Sequence, residues 1–151
     1  AGLSLKEENL DAFTQRFLKL AADEIIPEQM TPQIDIDAVL DLQDINAKFM
    51  SELKKMNPFG PDNQKPVFCS LGVKDYGTSK LVGKDLEHIK LELIDDKSNT
   101  PIHGIAFGMH QHNTHIKNMK PFNICYTIEE NTYNGNTSLQ LMVKDIKEND
   151  I

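Results

Sequence analysis

Three of the five histidines are close enough in sequence to share a ligand. His110, His112 and His115 fall in the run His-Gln-His-Asn-Thr-His, and imidazoles three residues apart on a helix can bind one metal ion. No acid or cysteine lies beside them in the sequence, and the run is typical of a solvent-exposed connector. The sequence therefore favours surface histidines over a metal site.

No other stretch carries a catalytic pattern. The chain has no glycine-rich loop that could cradle a phosphate, and no carboxylate-rich motif of the kind that holds two metal ions. The acids near the amino end fall on predicted helix surfaces or beside turns. We therefore expect no catalytic residues and no metal ligands in this chain, which leaves binding as the chemistry to consider.

The charge of the chain is unevenly distributed. Its 151 residues carry a net charge of −7, which by itself disfavours a nucleic-acid partner. Residues 54–120 nevertheless hold ten lysines against seven acids, together with all five histidines. Residues 1–53 hold four basic and eleven acidic side chains, and residues 121–151 hold two lysines against five acids. The central part is where a phosphate backbone would be attracted.

Cations and aromatic rings occur together in this central part, and one further ring, Tyr133, lies in the last predicted loop. Binding of single strands needs rings on which bases stack and cations along the backbone. The candidate binding residues are Tyr76, Lys80, Lys84, His88, Lys90, Phe107 and Tyr133. The alternative is structural: the two tyrosines only close loops, and Phe107 points into the core.

Two amphipathic helices are predicted ahead of the strands. Apolar residues with helical spacing predict one helix over residues 4–25, where Ser4 and Glu7 form a capping-box pattern and Pro27 ends the helix. A second stripe of the same kind predicts a helix over residues 42–56. Both helices are expected to be structural.

Alternating apolar residues predict five strands within residues 66–146, after a short strand in residues 33–40. Strand two is expected to begin near Lys80 and to bend around Gly83, and Asn134-Gly135 is expected to form a hairpin turn. The fold class is therefore mainly β with α: a five-stranded OB-type Greek-key barrel preceded by two amphipathic helices. The predicted strands are 67–73, 80–93, 102–109, 122–130 and 138–146, with a short helix over 110–119.

The remaining features concern location and redox state. Cys69 and Cys125 lie in predicted strands, and a reduced, buried pair is favoured over a disulfide. No segment approaches the length of a membrane span and no signal peptide is visible, so a cytoplasmic protein without a membrane partner is expected. The chain starts at Ala1, which indicates an internal fragment or a cloning remnant.

Several stretches of the chain match the motifs of one known family. Ala1 to Leu5 is similar to the end of a Gly-Gly-His…Ala-Ala-Gly motif, and Asn57 to Phe68 is similar to a Pro-Phe-Gly-x-Gly-Asn-Pro-x-Pro-x-Phe entry to an OB domain. Residues 82–91 resemble a Gly…His-Leu-Lys strand, and residues 130–146 resemble a final hairpin. The chain thus resembles the carboxy-terminal part of RecJ, the single-stranded-DNA-specific exonuclease family of the DHH phosphoesterase superfamily.

The resemblance implies a domain organisation and a parent activity. Residues 1–30 would be the terminal helix of a truncated DHH-associated domain and a linker, and residues 31–151 the RecJ-type OB domain. The parent would hydrolyse single-stranded DNA with Mn²⁺ or Mg²⁺, but the residues that hold those ions are absent from this sequence. Asp62 and Gln64 depart from the family pattern, so the turn there is expected to differ.

Two main functions from different classes follow, with a weaker third. In the first, the chain is a non-catalytic OB portion that binds single-stranded DNA for a 5′-to-3′ exonuclease in DNA repair and recombination. In the second, the acidic flanks repel DNA, and the chain docks the parent's catalytic core or a partner such as single-strand-binding protein. A metalloenzyme that uses His110, His112 and His115 is a third alternative.

Overall fold

The computed structural model describes residues 2–149, apart from the side chains of Pro27, Glu28 and Tyr133, and it divides into two compact units. The first unit ends at Ile34 and the second begins at Asp35. None of the helices in residues 2–149 combines the length and the hydropathy that crossing a bilayer requires.

The first unit contains one α-helix, α1 (Leu10–Glu24), which follows a 3₁₀ turn at Glu7–Asn9. The predicted capping box is wrong, because the chain enters α1 through this tighter turn, and neither helical segment has a side-chain cap. No residue of α1 is buried in the unit, and the rings of Phe13 and Phe17 stack 5.7 Å apart on its surface. The apolar stripe that the sequence predicts is therefore exposed.

The second unit is one seven-stranded sheet with two short helices. The elements are β1 (Ala38–Val39), α2 (Ala47–Lys54), β2 (Phe68–Asp75), β3 (Lys80–Val82), β4 (His88–Ile94), β5 (Ile102–Ala106), α3 (Asn113–Lys117), β6 (Phe122–Tyr133) and β7 (Asn136–Glu148). The sheet order is β1-β2-β6-β7-β5-β4-β3. The prediction of a mainly β fold with helices is confirmed, although the sheet has seven strands.

Five of the strands are linked in a ring of pairings. β2 pairs with β4 through Lys74 opposite Ile94 and Asp75 opposite Leu93, in addition to its pairing with β6. Each strand thus pairs with the next in the order β2, β6, β7, β5 and β4, and β4 pairs with β2 to close the ring. Within the ring only β5 and β7 run parallel. β1 and β3 pair outside this ring, with β2 and β4 respectively.

The predicted second strand, one bent strand starting near Lys80, is wrong. The segment forms two antiparallel strands, β3 and β4, joined by a turn. Gly83 has φ 97° and Leu86 has φ 57°, so the backbone turns through left-handed conformations there instead of bending. The consequence is that Lys80 pairs with Lys90 across the two strands.

The predicted alternation of the first strand also fails in its middle. The β2–β6 register shifts between Ser70 and Val73, and Gly72 has φ 65°. An extra residue in one strand moves the following side chains to the other face. Leu71, which alternation assigns to the face of Val73, is therefore 58% exposed, whereas Val73 is fully buried.

The core lies inside the second unit. The predicted alternation fails in β6, where residues 124–128 are all buried and the register with β7 shifts between Cys125 and Tyr126, but it holds in β4. Ile89, Leu91 and Leu93 of β4 are fully buried, as their spacing predicts. Burial of each such side chain stabilises the fold by about 1.5–3 kcal/mol. Tyr126 is the largest fully buried residue, and its hydroxyl lies 2.7 Å from the Ser70 hydroxyl.

The helix α2 packs on this core more briefly than residues 42–56 predict. It begins after Asn46, whose side-chain oxygen accepts hydrogen bonds from Lys48 N and Phe49 N at 3.0 and 3.1 Å. Phe49 meets Phe68 edge-to-face, with centroids 5.5 Å apart. Between β6 and β7 the predicted Asn134-Gly135 hairpin is confirmed, with both residues at positive φ.

Candidate nucleic-acid interface

Two lysines face each other across β3 and β4. Lys80 and Lys90 are Cα partners in this antiparallel ladder, so their side chains leave the sheet on the same face. Both are exposed, and neither takes part in the ion pairs found within residues 2–149. Like charges directly opposite each other destabilise a sheet. An anion bound between the two ammonium groups would relieve that repulsion.

An aromatic ring lies on the same face as these lysines. His88 precedes Lys90 by two residues on β4, and its ring meets Phe107 edge-to-face with centroids 4.9 Å apart and planes at 78°. Phe107 is 54% exposed, so the alternative that its side chain fills the core is wrong. The structure thus brings His88, Lys80, Lys90 and Phe107 together although they span 28 positions of the sequence.

Lys84 lies in the turn between β3 and β4 and is exposed. Glu87 organises this turn, because its Oε2 accepts a hydrogen bond from Asp85 N at 3.0 Å. The pKa of Glu87 is lowered, first by its own backbone N–H and then by Asp85 N–H, against the opposing effect of desolvation. Gly83 has a φ of 97°, which favours glycine, and a methyl group there would lie 2.7 Å from Oε2, so the Glu87 side chain would have to move.

The loop between β2 and β3 carries Tyr76, which is half exposed. This loop is firmly held: Asp75 Oδ1 accepts hydrogen bonds from Ser79 N at 3.1 Å and from Ser79 Oγ at 2.6 Å. Tyr76 N donates to the carbonyl of Glu92 at 2.8 Å, which places Tyr76 next to the Glu92 end of β4. The side chain of Tyr133 lies outside the described part of the structure.

The face also carries acids, which sequence reasoning did not weigh. Glu92 lies two residues beyond Lys90 on the same side of β4, hydrogen-bonds Thr78, and approaches His103 Nδ1 at 3.6 Å. Glu87 lies at the opposite end. The alternation of His88, Lys90 and Glu92 along β4 was the signal in the sequence that could have placed this acid on the face of the lysines. The cationic part of the face is therefore limited to the region of Lys80, Lys84 and Lys90.

The histidine run differs from the exposed connector that its sequence predicts. Glu148, at the end of β7, places Oε1 2.7 Å from His112 Nδ1 and Oε2 3.2 Å from His115 Nδ1. His115 Nε2 lies 3.2 Å from the Pro121 carbonyl oxygen. The fold thus brings Glu148 to these histidines, although no acid lies beside them in the sequence. Even so, no three His, Cys, Asp or Glu side chains among the residues described converge in a way that could hold a metal ion.

A mainly β domain with a ring of paired strands, and with cations beside an exposed aromatic ring, has the features of the oligonucleotide-binding class. The chain belongs to the RecJ OB domain family, whose model matches residues 36–145.

Several proteins resemble the whole chain. The single-stranded-DNA-specific exonuclease RecJ of Haemophilus influenzae is 27% identical over 147 residues, which cover 97% of this chain and 25% of that protein. RecJ of Bacillus subtilis is 26% identical over 146 residues, which cover 96% of this chain and 18% of that protein. The crystal structure of RecJ from Thermus thermophilus with Mn²⁺ has the same fold, with a TM-score of 0.74 and 17% identity over 99% of this chain and 21% of that one. The chain spans a quarter or less of these relatives.

Proposed function

We propose that this chain is the single-stranded-DNA-binding OB portion of a RecJ-like 5′-to-3′ exonuclease that acts in DNA repair and recombination in the cytoplasm. The ring of five strands would be the OB-type Greek-key barrel, since it pairs β2 with β4 and sets β5 parallel to β7. The observation that carries the proposal is the Lys80–Lys90 pair, which lacks an acidic partner within residues 2–149 and lies beside the exposed Phe107.

Each group would have a definite task. A phosphate between Lys80 and Lys90 would replace the repulsion of two like charges by two attractions, and Lys84 would extend the cationic track around the β3–β4 turn. A base would stack on Phe107, which contributes about 1–3 kcal/mol in comparable interfaces. Tyr76, and Tyr133 in the last hairpin, would bind bases at the edges. Glu92 would limit the track by repelling phosphate.

Hydrolysis is proposed for the parent enzyme and not for this chain. RecJ of Thermus thermophilus has been solved with Mn²⁺ and with Mg²⁺. The described side chains do not fit such an ion, so no step of hydrolysis is assigned to them. We also propose that residues 31–151 form the OB domain and that residues 1–30 are the end of a DHH-associated domain and a linker. The exposed apolar stripe of α1 supports this, because such a stripe needs a partner surface.

The first prediction tests the lysine pair. Replacing Lys80 and Lys90 together by alanine should weaken binding of a fluorescein-labelled oligothymidylate on the order of tenfold at low salt. It should also reduce the slope of log affinity against log salt by about 1.4, because two phosphate contacts disappear. Fluorescence anisotropy at several salt concentrations measures both quantities.

The matched control removes two lysines from another region. Lys144 and Lys147 on β7 are exposed and make none of the ion pairs found in residues 2–149. The double alanine variant there changes net charge equally and should retain the wild-type salt slope. Equal losses in both variants would show that total charge, and not this face, determines affinity.

A second function, docking of a protein, is favoured by a different part of the surface. An apolar pocket of about 340 Å³ is lined by Phe49, Met56 and Phe68 and bordered by Asp37 and Glu52. Its acidic rim would repel DNA but would accept a protein partner. Failure of the chain to bind oligonucleotide at low salt, together with measurable binding of purified single-strand-binding protein, would favour this second function.

A further inference from the structure

We propose that His88 acts as a positioning residue that holds the Phe107 ring for base stacking, and that it does not bind phosphate. The proposal rests on the single-strand function proposed above and deepens it. The alternative is that His88 is one more cation on the face, as its position between lysines in the sequence suggests.

Both nitrogens of the His88 ring already have partners. The backbone N–H of Gly108 donates a hydrogen bond to Nδ1 at 3.0 Å, and a backbone N–H can only donate. The ring hydrogen is therefore on Nε2, which lies 3.3 Å from Glu87 Oε1, a carboxylate oxygen that accepts. A phosphate oxygen would have to displace one of these partners. It would also approach the negative charge of Glu87.

The same contacts fix the residues around the aromatic ring. Phe107 directly precedes Gly108, whose φ of 68° is a left-handed conformation that glycine adopts at little cost. This turn aims the Gly108 N–H at His88 while the Phe107 ring meets the imidazole edge-to-face at 4.9 Å. Two consecutive residues are thus held by one imidazole. Phe107 is still 54% exposed and accessible to a base.

Restricting the Phe107 ring before DNA arrives should strengthen binding. A freely rotating surface side chain loses rotamer freedom when a ligand immobilises it, and this loss weakens binding about two- to tenfold. His88 avoids that loss by restricting Phe107 before DNA arrives. It therefore acts on affinity through Phe107, and its effect should disappear when Phe107 is absent.

Three substitutions separate positioning from charge. His88→Lys adds a cation but removes both ring contacts, and His88→Gln places its polar atoms beyond the Nδ1 position. His88→Asn places an oxygen at the Nδ1 position and can still accept from Gly108. We expect His88→Lys and His88→Gln to weaken oligothymidylate binding about two- to tenfold, with an unchanged slope of log affinity against log salt. We expect His88→Asn to lose less affinity than these two variants. Urea midpoints check that each variant is folded.

A double-mutant cycle with Phe107→Leu provides the decisive comparison. If His88 acts through Phe107, His88→Lys should cause no further loss of affinity in the Phe107→Leu background. Full additivity of the two losses would overturn the proposal, because His88 would then contact DNA independently. Wild-type or tighter binding by His88→Lys with a steeper salt slope would also overturn it.

A measurement without DNA distinguishes failure of this inference from failure of the proposed function. Hydrogen exchange of the Gly108 amide, followed by NMR, should be slow in the wild type and in His88→Asn and fast in His88→Gln and His88→Lys. Equal exchange in all four proteins would overturn the positioning contact even if oligonucleotide binds. A different pair of results would reject only the lysine site. In that case the Gly108 amide is protected in the wild type, but the Lys80→Ala/Lys90→Ala variant binds DNA like the wild type.

Discussion

At the scale of single residues, the clearest example of a side chain whose chemistry is set by its surroundings is Tyr126. It is fully buried, and its hydroxyl lies 2.7 Å from Ser70 Oγ, which in turn donates to the Leu40 carbonyl at 2.8 Å. Burial raises the pKa of Tyr126 to about 12, although the Ser70 hydrogen bond opposes the rise. The phenol therefore keeps its proton in the folded protein at a pH where a free tyrosine has lost it.

This raised pKa predicts a loss of stability at alkaline pH. The unfolded tyrosine ionises near pH 10 and the folded one near pH 12, so the stabilisation is complete below pH 10 and is lost as pH rises to 12. The shift corresponds to about 3 kcal/mol. Urea denaturation from pH 9 to 12 should show a steeper fall in unfolding free energy for the wild type than for Tyr126→Phe. Parallel curves would contradict the shift.

At the scale of elements, Asp95 joins two connections that are distant in sequence. Its Oδ2 accepts from Leu42 N at 2.8 Å, and its Oδ1 accepts from Ser98 N at 2.7 Å and Lys97 N at 3.0 Å. Partial burial raises the pKa of Asp95, but these hydrogen bonds outweigh burial and the net pKa is lowered. The carboxylate thus fastens the segment before α2 to the β4–β5 connection.

Replacing Asp95 by Asn should therefore destabilise the second unit by about 1–3 kcal/mol at pH 7, because the amide turns N–H groups toward backbone N–H donors. Since the folded pKa is depressed, the contribution of Asp95 is present above its unfolded value and is lost as pH falls through the folded one. The difference in unfolding free energy between the wild type and Asp95→Asn, measured by urea denaturation, should be smaller at pH 3 than at pH 7.

The adjacent acid provides the control for this substitution. Asp96 makes a surface ion pair with Lys74 at 3.0 Å, and its side chain is 87% exposed. Asp96→Asn should change the unfolding free energy by less than about 1 kcal/mol. A loss equal to that of Asp95→Asn would show that general charge on this turn, and not the Asp95 hydrogen bonds, stabilises it.

At the scale of the whole molecule, stability and the proposed binding face both belong to the second unit. Every residue of the hydrophobic core lies between Leu42 and Ile146, whereas α1 has no buried residue. The lysine pair and Phe107 lie within the same range.

Deleting residues 1–34 should accordingly leave the unfolding free energy within about 1 kcal/mol of the full chain, because the hydrophobic core of the second unit consists of residues 42–146. Oligothymidylate affinity should also be retained. Thermal and urea denaturation of the two proteins, with anisotropy titrations under the same buffer, provide the comparison. A large loss of stability would show that the second unit depends on the first.

The sequence by itself determined features that depend on local periodicity. Alternation in β4 identified Ile89, Leu91 and Leu93 as interior, and the pair Asn134-Gly135 identified the last hairpin. A strand has a side-chain period of two, and a two-residue turn has fixed dihedral requirements, so both can be recognised without the partner strand. The resemblance to RecJ motifs likewise came from short local stretches.

Only the tertiary structure decided which distant residues meet. The β3–β4 hairpin sets Lys80 opposite Lys90, the shift beside Gly72 turns Leu71 outward, and Glu148 reaches His112 from the end of β7. The contact of His88 with Gly108 spans 20 positions and joins two different strand ends. Periodicity fixes which face of a strand is buried, whereas pairing and register depend on the packing of all strands together, and a one-residue change reverses every side chain that follows.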